Sequence, residues 1–435
     1  MERKTIKKFL KKITVAATLL IVFTLVYSYK YNHPVRFRPK VFTYAQTVYS
    51  LNPSNSYPDQ LTLSPAEDSS RSVRLAWRTS PKIKNGEVVF WLGTEEEEQA
   101  RRTQAQLTAM MSPELKADKT VHRFSAVLEG LEPNTSYFYK VGNPETGLWS
   151  EVRPFSTASE NKDNFSFVYF GDTQASPEDF GRLLSEVDRR HRQTSLYLIA
   201  GDLVEDGEWR YIWDAFADNT EEVFSRKPMA PTPGNHDYRR IDENGVKYFG
   251  QYFNSPDNGP PGLPKGLSYS FYRQGVHFIV LDSNNNITEQ TDWLEEQLQQ
   301  EAVFKIVMFH HPPYHPKAGR SEPAIGKHWL PLFDRYQADL VLNGHDHSYL
   351  RTKKLYKGLP ADENQSGTIY LASTSCEKFY DYLPLPEAEV QLARTLTYQH
   401  IAISYDEPGQ ARLTFRAFDA AHEIKDEFTL QKKLR

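Results

Sequence analysis

Ser166-Phe167-Val168-Tyr169-Phe170-Gly171-Asp172-Thr173-Gln174 decides the fold of this 435-residue chain. A short apolar run ends on Gly-Asp. That pattern reads as a buried strand turning sharply at a glycine and presenting a carboxylate. A helix start follows, with Ser176 as the capping residue, Pro177 in the first turn and Asp179 at the third position. Phe180, Leu183, Leu184 and Val187 then recur at helical spacing. Further strands are expected at Leu196–Ala200, Val276–Leu281, Phe304–Phe309 and Leu340–Leu342, with helices over Thr291–Gln299 and Lys327–Tyr336. Tyr398–Leu430 alternates and adds antiparallel strands. This order predicts a layered α/β domain in which helices cover buried sheets.

Five polar clusters follow one another, four of them directly after an apolar strand: Gly171-Asp172-Thr173-Gln174, Gly201-Asp202-Leu203-Val204-Glu205, Gly234-Asn235-His236-Asp237, His310-His311 and Gly344-His345-Asp346-His347. Ligands bind at the carboxyl ends of strands in open α/β sheets, so the five can converge on one site. Alone, a Gly-Asp is usually a turn, and His310-His311 before two prolines reads equally as a loop corner. Gly-His-Asp-His is the sharpest signal, because His345 and His347 on an extended backbone point to one side. All five in this order predict a metal site. Carboxylate, amide oxygen and imidazole together suit Zn, Mn or Fe rather than an all-oxygen calcium site. Neither a Gly-x-x-x-x-Gly-Lys-Ser/Thr loop nor a Gly-x-Ser-x-Gly elbow occurs.

With these clusters, and with Val280-Leu281-Asp282-Ser283 and Gln290–Leu294 between the third and fourth, residues 165–435 resemble the calcineurin-like metallophosphoesterases. The resemblance implies a β-sandwich flanked by helices, carrying two divalent or mixed-valence metal ions (Fe, Mn or Zn). It implies hydrolysis of a small phosphoester by a water that the two metals activate. Asp202 would bridge both metals, with Asp172 and His347 on the first and Asn235, His310 and His345 on the second. His236 would bind the phosphate or protonate the leaving oxygen. Asp237 either orients His236 or caps the following turn, and His311 either faces the substrate or supports the site from behind. A phosphomonoesterase of acid phosphatase type is expected. The alternatives are a phosphodiesterase acting on envelope or nucleotide substrates and a non-catalytic metal-binding adhesion protein.

Two positions depart from the pattern. The purple acid phosphatases, which this arrangement resembles, place a metal-binding tyrosine where Glu205 stands. Other members place a histidine where Gln174 stands. Each residue either completes the first metal site or stands behind it while water fills the place. Further along, His315, Lys317 and Arg320 can meet a phosphate, and Tyr238, Arg239 and Arg240 can line the opposite wall; solvated loops are the plainer reading of both. Cys376 reads as a buried thiol.

Upstream, Ser72–Thr79 alternates, with Val73, Leu75 and Trp77 on one side. Val88–Leu92, His122–Leu128 and Glu151–Phe155 are further strands, and Tyr137, Tyr139 and Val141 share a face. Gly130-Leu131-Glu132-Pro133-Asn134-Thr135-Ser136-Tyr137-Phe138-Tyr139 gives residues 63–158 a resemblance to a fibronectin type III-like sandwich. Within it, Thr94–Asp118 is polar, with four glutamates in a row, and reads as a solvated helix or insertion. Residues 31–62 and 159–164 read as linkers.

The chain opens with six basic residues between Arg3 and Lys12, followed by an uncharged, mostly apolar run over residues 13–29. This predicts a signal anchor or a cleaved signal, with the lysines in the cytoplasm and the catalytic domain periplasmic or extracellular. The membrane is therefore an expected partner. The formal net charge is −4, and no long basic tract follows the opening one, so nucleic acid is not an expected partner. A single cysteine excludes an intrachain disulfide.

Overall fold

A computed structural model describes residues 52–238, 241–242, 245–246, 248–315, 317, 319–362 and 365–434. The predicted signal segment 1–30, residues 31–51 of the expected linker, and Arg239 and Arg240 lie outside the described residues. No helix among the described residues is long and apolar enough to cross a membrane.

Four layers build the region that begins at Phe165. One sheet has six strands, with Phe165–Phe170 at its centre, parallel to Thr194–Ile199 and antiparallel to Thr397–Ser404. A second sheet has seven, with Val276–Val280, Phe304–Met308, Leu340–Asn343 and Ile369–Ala372 running parallel. Strand alternation assigns each side chain to a layer. Phe167 and Tyr169 turn inward and meet Phe278, Val280, Ile306 and Leu340 of the facing sheet. Val168 and Phe170 turn outward and pack under the helix Pro177–Arg190 through Phe180, Leu183, Leu184 and Val187. On the far side, Ile279, Val307 and Val341 lie under Trp293, Leu294 and Trp329.

The expected helix start is present: Ser176 accepts the Asp179 N–H and Pro177 opens the helix. The helix expected over residues 327–336 is instead two short ones, Pro323–His328 and Leu330–Tyr336, broken at Trp329. Pro331 cannot donate a backbone hydrogen bond, so a continuous ladder would be interrupted there.

The preceding region is a two-sheet sandwich around Leu75, Trp77, Phe90, Phe124, Tyr137 and Phe155. Trp77 stacks on Phe124 with ring centroids 5.4 Å apart. Its first strand, Asp59–Pro65, begins inside the stretch read as linker. The expectation for residues 94–118 is corrected: this polar run forms the strands Arg101–Gln104 and Gln106–Met111. Backbone pairing with Glu87–Phe90 and Thr120–Ser125 overrides its polar composition.

Strand Val73–Thr79 is buried on both faces. Val73, Leu75 and Trp77 enter the sandwich core, while Arg74 and Arg78 face the catalytic region. Arg78 lies 3.1 Å from Asp214 of the helix Arg210–Phe224. From that helix Arg210, fully buried, donates to the Asp118 carbonyl at 2.6 Å and meets the Asp118 carboxylate at 2.7 Å. The two regions belong to one compact unit.

Candidate metal centre

The site lies at the carboxyl ends of the central strands, and glycines make room for it. A Cβ on Gly344 would stand 2.2 Å from Asp172 Oδ1, and one on Gly234 would stand 2.2 Å from Asp202 Oδ1. The turns bearing the ligands are themselves strained, since Asp202, His345 and His347 all have left-handed φ, at 50°, 72° and 50°. The expectation of an extended backbone at Gly344–His347 is thereby corrected. The chain bends at both histidines and sends them to different partners.

One group is Asp172, Asp202 and His347, all buried; the other is His310, His311 and His345. Within each group the atoms able to bind a metal lie within 4.8 Å of one another. Asp202 stands between the groups, with Oδ1 3.4 Å from His310 Nε2. Asn235 Oδ1 is 3.2 Å from the same nitrogen, as is His345 Nδ1.

Tautomers follow from the carbonyls behind the rings. His310 Nδ1 lies 2.8 Å from the Ala200 carbonyl and His347 Nδ1 lies 2.9 Å from that of Lys378, so both nitrogens must donate. When each ring is neutral, Nε2 carries a lone pair. That of His310 faces Asp202, Asn235 and His345, and that of His347 faces Asp172 Oδ2 at 3.0 Å. Asp172 Oδ2 is buried and receives no hydrogen bond among the described residues. Acceptors converging on acceptors are unfavourable unless a cation or a proton stands among them. Burial pulls the His310 and His347 imidazoles down, but Asp202 in one case and Asp172 in the other outweigh it, raising them to about 9 and about 11. Burial likewise pushes the Asp202 carboxyl up, and His310 and His236 outweigh it, holding it at about 2. A field that draws protons onto two buried imidazoles suits metal cations, and the donor types fit Zn, Mn or Fe.

His236 is anchored twice: its backbone N–H donates to Asp202 Oδ1 at 2.7 Å and Nδ1 donates to the Glu205 carbonyl at 2.7 Å. This leaves Nε2 for a ligand. Asp237 does not orient it. Its carboxylate accepts the N–H groups of Leu203, Val204 and Gly234, pinning the Asp202 turn to the Asn235 turn. His311 packs 4.3 Å from the His345 ring and bonds the Ser283 hydroxyl through Nδ1 at 2.9 Å.

Gln174 is buried with Nε2 2.9 Å from His347 Nε2, and its Oε1 has no partner among the described residues. Rotating the amide would present that oxygen to the first group. Glu205 is half exposed and faces Lys378. His315 and Arg320 are brought to the rim, both bound to the buried Asp346 carboxylate. Tyr238 turns inward and donates to Asp282. Cys376 is buried, with Sγ 3.9 Å from His347 Nδ1.

Sequence reading missed the supporting roles of Asp346, of Ser283, and of Tyr380, whose ring packs on that of His347 with centroids 4.7 Å apart. Asp346 lies inside a recognised cluster, but its partners His315 and Arg320 arrive from a loop 31 and 26 residues upstream.

Residues 165–349 match the calcineurin-like phosphoesterase family, and residues 58–157 match the purple acid phosphatase N-terminal domain. The chain is 24% identical over 408 residues to a probable purple acid phosphatase of Arabidopsis thaliana, covering 88% of this chain and 89% of that one. An Fe(3+)-Zn(2+) purple acid phosphatase of the same plant is 24% identical over 330 residues, covering 71% and 68%. In fold, the chain is similar to a purple acid phosphatase from yellow lupin seeds, with TM-score 0.72 at 17% identity, over 86% of this chain and 74% of that one.

Proposed function

We propose that this chain, which carries a calcineurin-like phosphoesterase domain behind a purple acid phosphatase N-terminal domain, is a phosphomonoesterase working with two metal ions at the Asp202 centre. It is a metal-dependent hydrolase of phosphoric esters. The preference for monoesters draws on the phosphatases among its relatives.

One observation carries the reading: Asp202 belongs to one ligand group and lies 3.4 Å from His310 of the other. Asp172 and His347 would hold the first ion, Asn235, His310 and His345 the second, and Asp202 both. A carboxylate in that place offsets the repulsion between two close cations. When bound, such ions polarise a phosphoryl group and lower the pKa of an attacking water. The chain's own groups orient the ester. His236, fixed through Asp202 and Glu205, offers Nε2 to a phosphate oxygen or protonates the departing one. His311, held by Ser283, lines the second group. With Glu205 turned to Lys378, a divalent Mn, Zn or Fe ion suits the first group better than ferric iron.

Turnover of p-nitrophenyl phosphate against bis-p-nitrophenyl phosphate tests the preference. Faster cleavage of the monoester supports it, and faster cleavage of the diester refutes it.

The lysine lead and apolar run support a membrane-anchored protein with the catalytic domain outside the cytoplasm. Protease added from the exported side should degrade the catalytic domain. Full protection in intact cells, with degradation after lysis, would contradict that topology.

A further inference from the structure

The six-stranded sheet ends on Ile424–Lys433, a strand paired on one side only, to Gln410–Asp419. Among the described residues no strand pairs its outer side. A long open edge is a template for another strand, and proteins usually blunt it with bulges, prolines or charges. This strand contains no proline, and its one break in register falls at Ala417 and Phe418, opposite its first residues. From Asp426 to Lys433 the pairing is regular.

The register decides which backbone groups are free. The Leu434 N–H donates to the Gly409 carbonyl at 2.8 Å, and the pairs continue in step down to Asp426 opposite Ala417. In an antiparallel ladder alternate residues exchange both bonds. Asp426, Phe428, Leu430 and Lys432 therefore bond to the neighbouring strand, and the N–H and C=O of Glu427, Thr429, Gln431 and Lys433 point away from the sheet. The side chains of these last four are exposed. Those of Phe428 and Leu430 pack on the core between the sheets, yet are only partly buried.

Two of the charges on this strand do not guard the edge. Asp426 is tied to Arg351 at 2.6 Å and Lys432 to Asp339 at 2.7 Å. Glu427 and Lys433 remain, with opposite signs at the two ends of the open stretch. Glu427 has Arg416 at 2.9 Å on its own sheet, and Lys433 has no carboxylate partner among the described residues.

We propose that two copies of this chain pair edge to edge along Ile424–Lys433, antiparallel, about a two-fold axis at Leu430. Glu427 of each copy then faces Lys433 of the other, Thr429 faces Gln431, and Leu430 faces Leu430. All the outward backbone groups of this stretch are paired, and the six-stranded sheets join into one. The neighbouring registers are worse. An axis at Thr429 sets Lys425 against Lys433, like charges directly opposite. An axis at Gln431 carries Glu427 past Lys433. Charge thus selects the same register that satisfies the backbone, and a two-fold contact of this kind closes at the dimer.

The test measures the mass of the full chain in detergent by sedimentation over a concentration series. A contact built on one strand is small, so dissociation in about the micromolar range is expected, with mass rising to twice that of the monomer. Lys433→Glu sets like charges opposite each other twice and should weaken association by about tenfold or more. Glu427→Lys combined with Lys433→Glu should restore it, with thermal unfolding as the check that each variant is folded. Under mild oxidation Leu430→Cys should form a disulfide between copies and Glu427→Cys should not, because only residue 430 meets itself; the native Cys376 is buried. A wild type that stays monomeric to about a hundred times the expected dissociation constant overturns the proposal. So does association that Lys433→Glu leaves intact, a Leu430→Cys chain that fails to cross-link, or growth beyond the dimer.

Discussion

The carboxylate of Glu205 is turned to Lys378 Nζ, 3.4 Å away, while Asp172, Asp202 and His347 group together on the metal side. Purple colour needs a phenolate bound to ferric iron, and Glu205 stands where the resemblance places that tyrosine. Iron-loaded, oxidised protein should therefore lack a strong visible charge-transfer band. Tyr380 is the control, since its ring packs on His347. A strong band that disappears in Tyr380→Phe, or in another single tyrosine variant, would contradict this account of the first group.

Arg210 joins the two structural regions from full burial. It meets Asp118 of the sandwich at 2.7 Å and Asp214 of its own helix at 3.1 Å. Removing one partner of a buried pair strands the other charge, which costs about 3–5 kcal/mol. Arg210→Ala should lower unfolding stability by that order in denaturant titrations, and a loss of under about 1 kcal/mol would show the network to be dispensable.

His277 is fully buried, stacked on Tyr272 at 4.1 Å, with neither ring nitrogen hydrogen-bonded among the described residues. Burial, helped by Lys305, lowers its pKa to about 3. The unfolded chain, near the ordinary histidine value, binds the proton first on acidification. The cost of a neutral His277 is thus absent above about pH 6.5 and grows as pH falls toward about 3, reaching roughly 2 kcal/mol near pH 5. His277→Phe should flatten that part of the stability–pH curve. Curves of equal slope for wild type and variant would refute the assignment.

The clusters were legible because four of the five join a glycine to a ligand, and all but the Gly234 cluster directly follow an apolar strand; the close approaches at Gly234 and Gly344 show why glycine is needed. The course of the backbone through them was not. His345 and His347 read as an alternating pair, yet left-handed φ at both splits them between two groups. Asp237 looked like a partner for the adjacent His236, but the N–H groups it binds include two from residues more than thirty positions away. The polar stretch ending at Asp118 is mostly solvent-facing, as read, but forms strands, and its end is covered by Arg210 in a way sequence cannot show.

The account stands on Asp202 serving both ligand groups. The direct test is metal content and p-nitrophenyl phosphate turnover of purified protein, wild type against Asp202→Ala. Wild type should hold about two ions per chain, lose turnover on chelation and regain it with Mn, Zn or Fe. The variant should bind less metal and lose more than about a hundredfold in turnover, beyond what supporting residues alone usually cost. Wild-type turnover by Asp202→Ala at limiting metal, or by the chelated wild type, would contradict it.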